Sequence, residues 1–363
     1  MANTHFKTFH LGDWELKSGG KIPEAQIAYK TFGDPSLPAI IYPSWYSGKI
    51  SDNVWLIGED KTLNPKKYFI IITALFGNGE SSSPSNRPDL RPFPEVLFYD
   101  NVRAQHELVT KGLGIKHARA VLGWSMGAGQ TYQWATQYPD FMDLVVPFCG
   151  SAKTSLHNQV FLEGVKSALL APKGVASLGI CKTEAYQTKE EYKNWTTEEA
   201  KTGLKALGRV YAGWGFSQAF YREKLYESAL GFQNLEDFMV NFWEAWGLSK
   251  DPENMLVMLQ TWQAGDVSAQ EPYNGDFEKA MKGIQAKALV LPGAGGPGQS
   301  TEDVKWLDLK LKEFFEKEKI ENEKVEALQM LQESTSQQHE SGTKKRIKRF
   351  INSTSCLFSL SLN

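Results

Sequence analysis

The stretch that most constrains this chain is Ala120-Val121-Leu122-Gly123-Trp124-Ser125-Met126-Gly127-Ala128-Gly129. Its opening apolar run has the character of a buried strand, and Gln130-Thr131-Tyr132-Gln133-Trp134-Ala135 beyond it has the character of a helix. Between them stands a serine in a Gly-x-Ser-x-Gly pattern. Strand, glycine-flanked serine and helix in that order make a nucleophile elbow, a turn too tight for side chains on either side. Such a turn lifts Ser125 clear of the sheet to the head of a helix, where backbone N–H groups can meet a developing oxyanion. The pentapeptide alone is a weak signal. Its setting separates it from an ordinary glycine-rich turn.

Composition excludes more than it identifies. A chain of 363 residues can bury one large core and carry an inserted second domain. The 40 Lys and Arg against 42 Asp and Glu leave a formal charge of −2, which gives no electrostatic pull toward nucleic acid or an anionic membrane. No apolar run approaches the length that spans a bilayer, and residues 1–10 lack a signal-peptide pattern. Cys149, Cys181 and Cys356 form neither a metal-ligand spacing nor a disulfide framework, so the expectation is a reducing, cytoplasmic setting with no metal. Cys149, inside an apolar run, is expected to be a buried thiol. The 11 Trp, 13 Tyr and 20 Phe suit either an aromatic-lined cavity or a well-filled core.

The chain divides by texture. Residues 6–32 alternate as two strands around Ser18-Gly19-Gly20, and Ala39-Ile40-Ile41-Tyr42 reads as a buried strand ending in Pro43-Ser44-Trp45-Tyr46-Ser47-Gly48. Tyr68 to Leu75 is apolar throughout, as a central parallel strand should be, and it runs into the polar loop Phe76–Ser85. Tyr99 to Lys111 has helical spacing, with Arg103 either a surface charge or a brace for that loop. Leu144 to Cys149 is another buried strand. Residues 1–154 therefore read as an α/β core, and 155–276 as a helical cap rich in Trp and Tyr, with Tyr211-Ala212-Gly213-Trp214-Gly215-Phe216 a candidate pocket wall. Residues 277–316 return to the core through Ala286–Leu291 and an amphipathic helix over Asp303–Phe315. Residues 317–363 form a low-complexity tail whose Lys344–Arg349 run is either a solvated charge cluster or a nuclear signal.

With these segments in hand, the chain resembles the homoserine O-acetyltransferase branch of the α/β-hydrolase superfamily, in its fungal-type form. The resemblance rests on Gly123–Trp134, Leu75–Ser85, Asn101-Val102-Arg103-Ala104-Gln105 and Gly208–Phe216. It implies an α/β-hydrolase fold with a mostly parallel sheet and a helical cap. It also implies acyl transfer through a seryl intermediate, from acyl-CoA as co-substrate to an alcohol, or to water in hydrolytic relatives. No bound cofactor is implied, and the partners are a small-molecule acyl donor and acceptor. The assembly is left open, a homodimer included. By the same resemblance Ser125 is the nucleophile, Met126 gives one oxyanion N–H, and the loop after Tyr42 gives the other from Tyr46 or Trp45. Arg209 is the match for an arginine that holds the homoserine carboxylate, while Trp214 stands near where a tyrosine is looked for.

A serine of this kind needs a histidine base and a carboxylate to orient it. In relatives the acid loop, a helix, the last strand and a histidine loop lie between Leu-Pro-Gly and Ala-Gly-Gly-Pro-Gly. Here Leu291-Pro292-Gly293 runs straight into Ala294-Gly295-Gly296-Pro297-Gly298. The expectation is a chain without the acid, the histidine and the last strand, leaving Ala288–Leu291 as a bare apolar edge that invites aggregation. Of His5, His10, His106, His117, His157 and His339, only His157 falls near the carboxyl edge of the sheet as a substitute base. Residues 150–153 offer no alternative acid. Two readings stay open: an acyltransferase or esterase whose sequence lacks a segment, or a fold that binds ligand without turnover.

Overall fold

The computed structural model describes residues 6–174, 194–291 and 301–317, the last of these with side chains only for 307–315. Cys181, Cys356, His5, His339, the Gly293–Ala294 junction and the tail beyond 317 lie outside the described residues.

Seven strands form one sheet in the order β1-β2-β4-β3-β5-β6-β7. They are β1 (Lys7–Glu15), β2 (Lys21–Phe32), β3 (Ala39–Pro43), β4 (Phe69–Thr73), β5 (Ala118–Trp124), β6 (Met142–Phe148) and β7 (Lys287–Ala288). β1 and β2 form an antiparallel pair that joins β4 antiparallel, and every pairing from β4 through β7 is parallel. The expected strand over Ala286–Leu291 is regular for two residues only. It then follows β6 through Leu291 N–H to Pro147 O at 3.2 Å and Cys149 N–H to Leu291 O at 2.9 Å. Among the described residues β7 is paired on one side, as an edge strand.

The period of two along each strand sorts the core into two faces. Ile40, Tyr42, Ile70, Ile72, Leu122 and Val146 pack on one face against the last described helix, and Ala39, Ile41, Ile71, Val121 and Val145 pack on the other. A strand buried on both faces has no polar alternation, which is why the central strands read as continuous apolar runs. Each fully buried Ile or Val contributes about 1.5–3 kcal/mol relative to exposure. The second face is covered by α1 (Phe98–Glu107) and α2 (Met126–Gln137), through Val102, Tyr132, Trp134 and Ala135.

Between β6 and β7 the described regular elements are helices. The longer ones are α3 (Leu156–Leu170), α4 (Thr197–Gly215) and α5 (Pro252–Gln263). Their starts are specified locally: Ser155 caps α3, Thr196 and Glu199 form a reciprocal box at α4, and Asp251 caps α5 ahead of Pro252. Leu162, Val165 and Leu169 of α3, Leu204 and Leu207 of α4, and Met255, Leu259 and Trp262 of α5 pack with Tyr46, Leu75 and Met126 of the core. The helical layer therefore sits directly over the β5–α2 turn. Arg103 is tied to β1 and not to the Phe76–Ser85 loop it was expected to brace: its guanidinium lies 4.1 Å from the centre of the Trp14 ring and donates to Glu15 O. α6 (Thr301–Lys317) closes the described chain, burying Leu307, Leu311 and Phe315 on the first face of the sheet. No helix among the described residues is long and apolar enough to cross a membrane.

Candidate active site

Ser125 stands between β5 and α2 with φ 55° and ψ −120°. An L-residue in that region stores about 1–3 kcal/mol and persists only where its surroundings fix it. Here the Ser125 amide donates to Phe148 O at 3.0 Å, and bare backbone crowds the turn from three sides. A Cβ on Gly123 would lie 2.2 Å from Gly127 O, one on Gly150 2.3 Å from Ser125 O, and one on Gly127 2.7 Å from Pro43 O. Every one of these approaches is closer than a side chain allows, so the glycines are a steric requirement of the turn. The serine side chain makes no capping bond to α2, which leaves Oγ for other partners.

The loop after β3 lies against this turn, and its backbone groups can be accounted for one by one. Ser44 N–H donates to Thr73 O, Gly48 N–H to Trp45 O, Lys49 N–H to Asp52 Oδ2 and Ile50 N–H to Glu80 Oε2. The carbonyls are held from outside: Ser44 O by Gln130 Nε2 at 2.8 Å, Ser47 O by Lys250 Nζ at 3.2 Å, and Gly48 O by Asn78 Nδ2 at 3.3 Å. The amides of Trp45, Tyr46 and Ser47, like that of Met126 at the head of α2, donate to no described group. Sequence reasoning missed Gln130, Asn78, Glu80 and Lys250. Gln130 was the one with a local signal, a polar residue one helical turn beyond Met126 in a helix otherwise set for burial.

Aromatic side chains pack together where this loop meets the helical layer. Tyr46 stacks on Tyr211 at 5.8 Å and meets Trp262 at 5.6 Å, Trp214 stacks on Phe161 at 4.6 Å and contacts Trp262 at 5.3 Å, and Trp45 meets Trp124 edge-on at 4.6 Å. Burial, and secondarily Tyr211, holds the Tyr46 hydroxyl well above the usual tyrosine range, and that hydroxyl has no hydrogen-bond partner. Arg209 is placed differently. It is exposed on α4, with Nε donating to Glu244 at 2.5 Å and Nη2 to Glu236 at 2.5 Å, pairings that raise its pKa. Trp214 packs with Phe161 and Trp262, and Arg209 is engaged by two carboxylates of the same layer.

The four described histidines lie elsewhere or face out. His117 precedes β5 and pairs with Asp143 at 2.8 Å, whereas Ser125 follows β5. At about 3.3 Å per strand residue the two are roughly 25 Å apart. His106 is stacked on Tyr138 at 3.9 Å on the α1–α2 side, where desolvation lowers its pKa. His10 is on β1 at the far edge of the sheet, and His157 is exposed on the first turn of α3. Among the described residues no group of three His, Cys, Asp or Glu is arranged to hold a metal.

A mostly parallel sheet, a strained serine at the β5–α2 turn and helices over the carboxyl ends of the strands define the α/β-hydrolase class of fold. A family model described as the alpha/beta hydrolase fold matches residues 43–167. A probable esterase of Corynebacterium glutamicum is 34% identical over 297 residues, covering 79% of this chain and 80% of that protein. The structure of the acetyl esterase MekB superposes with a TM-score of 0.77 at 30% identity, over 86% of this chain and 97% of that one. A homoserine O-acetyltransferase of Zymomonas mobilis is 29% identical over 322 residues, 77% of this chain and 79% of that protein. The chain belongs to the α/β-hydrolase family, among esterases and acyltransferases. The resemblance to homoserine O-acetyltransferases is thereby widened, since the esterases match more strongly.

Proposed function

We infer that this chain belongs to the serine-dependent acyl-transfer enzymes, with Ser125 as nucleophile and small uncharged acetyl-type esters as substrates. The observation that carries the reading is the turn at Ser125, a strained non-glycine residue beside unspent amides on both flanks. Attack of Oγ on an ester carbonyl would place the tetrahedral oxygen between the amide of Met126 and that of Tyr46 or Trp45. Donors aimed at that oxygen are worth about 10²–10³ in rate apiece. Collapse would expel the alcohol and leave an acyl-serine, which water or a second alcohol then clears.

The aromatic wall of Tyr46, Phe161, Tyr211, Trp214 and Trp262 favours a neutral leaving group. With Arg209 committed to Glu236 and Glu244, a homoserine carboxylate would find no counter-charge from that residue. Simple esters are accordingly favoured over acyl-CoA and homoserine as the donor and acceptor pair, in keeping with the acetyl esterase among the related structures.

A second reading is favoured by the placement of the histidines. With no histidine beside Ser125 among the described residues, Ser125 stays a neutral hydroxyl in this reading, and the chain would bind esters with little turnover. Loss of a triad member typically leaves about 10³–10⁴ over the uncatalysed rate. The deciding experiment measures p-nitrophenyl acetate and acetyl-CoA turnover by the full chain, by Ser125→Ala, and by a version carrying the family's segment between Gly293 and Ala294. Ordinary enzyme rates that Ser125→Ala abolishes support a working base, with His157 the first to test. Activity confined to the restored version supports the non-turnover reading of the present chain. Ordinary enzyme rates that Ser125→Ala leaves unchanged would sink both.

A further inference from the structure

A buried amide relay connects the nucleophile's helix to the loop beside it. Trp134, Gln105 and Gln130 have no measurable exposure. The Trp134 indole N–H donates to Gln105 Oε1 at 2.7 Å, Gln105 Nε2 donates to Gln130 Oε1 at 2.6 Å, and Gln130 Nε2 donates to Ser44 O at 2.8 Å. The same Gln130 nitrogen also leans toward Met126 O at 3.5 Å.

The direction of this relay is dictated by chemistry. An indole nitrogen can only donate, so Gln105 must turn its oxygen to Trp134 and its nitrogen to Gln130. Gln130 must then turn its oxygen to Gln105, and its nitrogen is left for a carbonyl. Both amide orientations, which geometry alone leaves ambiguous, follow from the one indole. The relay ends at Ser44, whose own amide is fixed to Thr73 O at 2.9 Å and whose carbonyl is therefore the point at which the loop can be aimed.

We propose that Gln130 is a positioning residue that sets the spacing between the two halves of the oxyanion site, the Met126 amide on α2 and the Trp45–Tyr46 amides of the loop. Gln130 stands one helical turn after Met126, on the same rigid element as the first donor, and grips the residue immediately before the second. The contact distance between Gly127 and Pro43 O sets how closely helix and loop approach, and Gln130 keeps them from parting. Asn78 and Lys250 hold the loop further along, at Gly48 and Ser47, where neither bond reaches back to the nucleophile's helix. The proposal rests on the reading of Ser125 as the nucleophile, and it makes a statement about the loop that can be measured without turnover.

The test compares the full chain with Gln130→Met, which keeps length and burial but has no amide, with Gln105→Met, which leaves Gln130 unoriented, and with Gln133→Met. Gln133 is equally buried on α2 but bonds Gln137 instead of the loop. Hydrogen exchange of the amides of residues 44–50 and Ser125-dependent p-nitrophenyl acetate kinetics are both read. Gln130→Met should speed exchange across 44–50 and lower kcat about 10- to 100-fold with KM changed less than about 3-fold, the signature of a lost transition-state interaction. Gln105→Met should do the same to a smaller extent, and Gln133→Met should do neither. Unchanged exchange at 44–50 in Gln130→Met, equal loosening in Gln133→Met, or a loosened loop with kcat intact would each overturn the proposal. Ordinary enzyme rates that Ser125→Ala leaves unchanged would overturn the nucleophile reading instead, while exchange still decides whether Gln130 holds the loop.

Discussion

Replacing Leu311 by alanine tests whether α6 seals the first face of the sheet. Leu311 is fully buried among Ile40, Ile70, Leu122 and Val146, with Leu307 and Phe315 one turn to either side along the same stripe. Removing a buried leucine side chain costs the lost transfer free energy plus a term for the space left behind, about 2.7–5 kcal/mol where the surroundings collapse little. The sheet beneath is rigid and the helix is pinned laterally by Asp308, which accepts from Thr62 N–H at 2.6 Å while Thr62 Oγ1 donates to Asp308 O at 2.9 Å. Limited collapse places the expected loss near 3–4 kcal/mol. Leu309 supplies the internal control, since it is 50% exposed on the same helix and undergoes the same change in helix propensity. Leu309→Ala should stay within about 0.5 kcal/mol. The assay is equilibrium urea unfolding followed by tryptophan fluorescence, with midpoint and slope compared across the three proteins. A loss below about 1 kcal/mol for Leu311→Ala, or one equal to that of Leu309→Ala, would refute the docking of α6.

Gly127→Ala would set a methyl 2.7 Å from Pro43 O and push the loop away from α2 by several tenths of an ångström. Any Ser125-dependent kcat on p-nitrophenyl acetate should fall about 10- to 100-fold with KM nearly constant, and an unchanged kcat would show the spacing to be unimportant. Arg209→Gln should leave kcat/KM for neutral esters within about 2-fold of the parent, because that side chain is engaged by Glu236 and Glu244; a large rise in KM would mean that it reaches substrate after all. Burial raises the pKa of Glu80 above its ordinary value of 4.5, against the pull of the Ile50 amide and Asn78. The unfolded chain therefore loses this proton first, so the stability contributed is full below the ordinary value and is lost as pH climbs through the raised one. Glu80→Gln should remove that decline, with a stability difference that grows from about pH 4.5 upward and then levels; a constant offset at every pH would contradict the assignment.

The parts of this molecule that were legible in sequence are those whose causes are local. The elbow shows itself because Gly123 and Gly127 must be bare within two residues of Ser125, and the central strands show themselves because burial on both faces removes all alternation. Asn78 and Lys250 were not legible, since each bonds a main-chain carbonyl, and a carbonyl leaves no mark on residue choice at its own position; Gln130 carried only its place one helical turn beyond Met126. Lys250 meets Ser47 across 203 positions of chain, and the direction of Arg209 depends on how Glu236 and Glu244 fold back along α4. The same division explains how a well-formed elbow and the question of a base can coexist. The strain at Ser125 is held by Gly123, Gly127, Phe148 and Gly150, and the loop beside it by Gln130, Asn78 and Lys250, so the contacts named here all come from residues before 251. In the fold class a histidine would come from later in the chain. Nucleophile and base are therefore built independently. Exchange at residues 44–50 reports on the first, and the Ser125-dependent rate reports on the second, so a chain can keep every hydrogen bond of its oxyanion loop while the proton on Ser125 has nowhere to go.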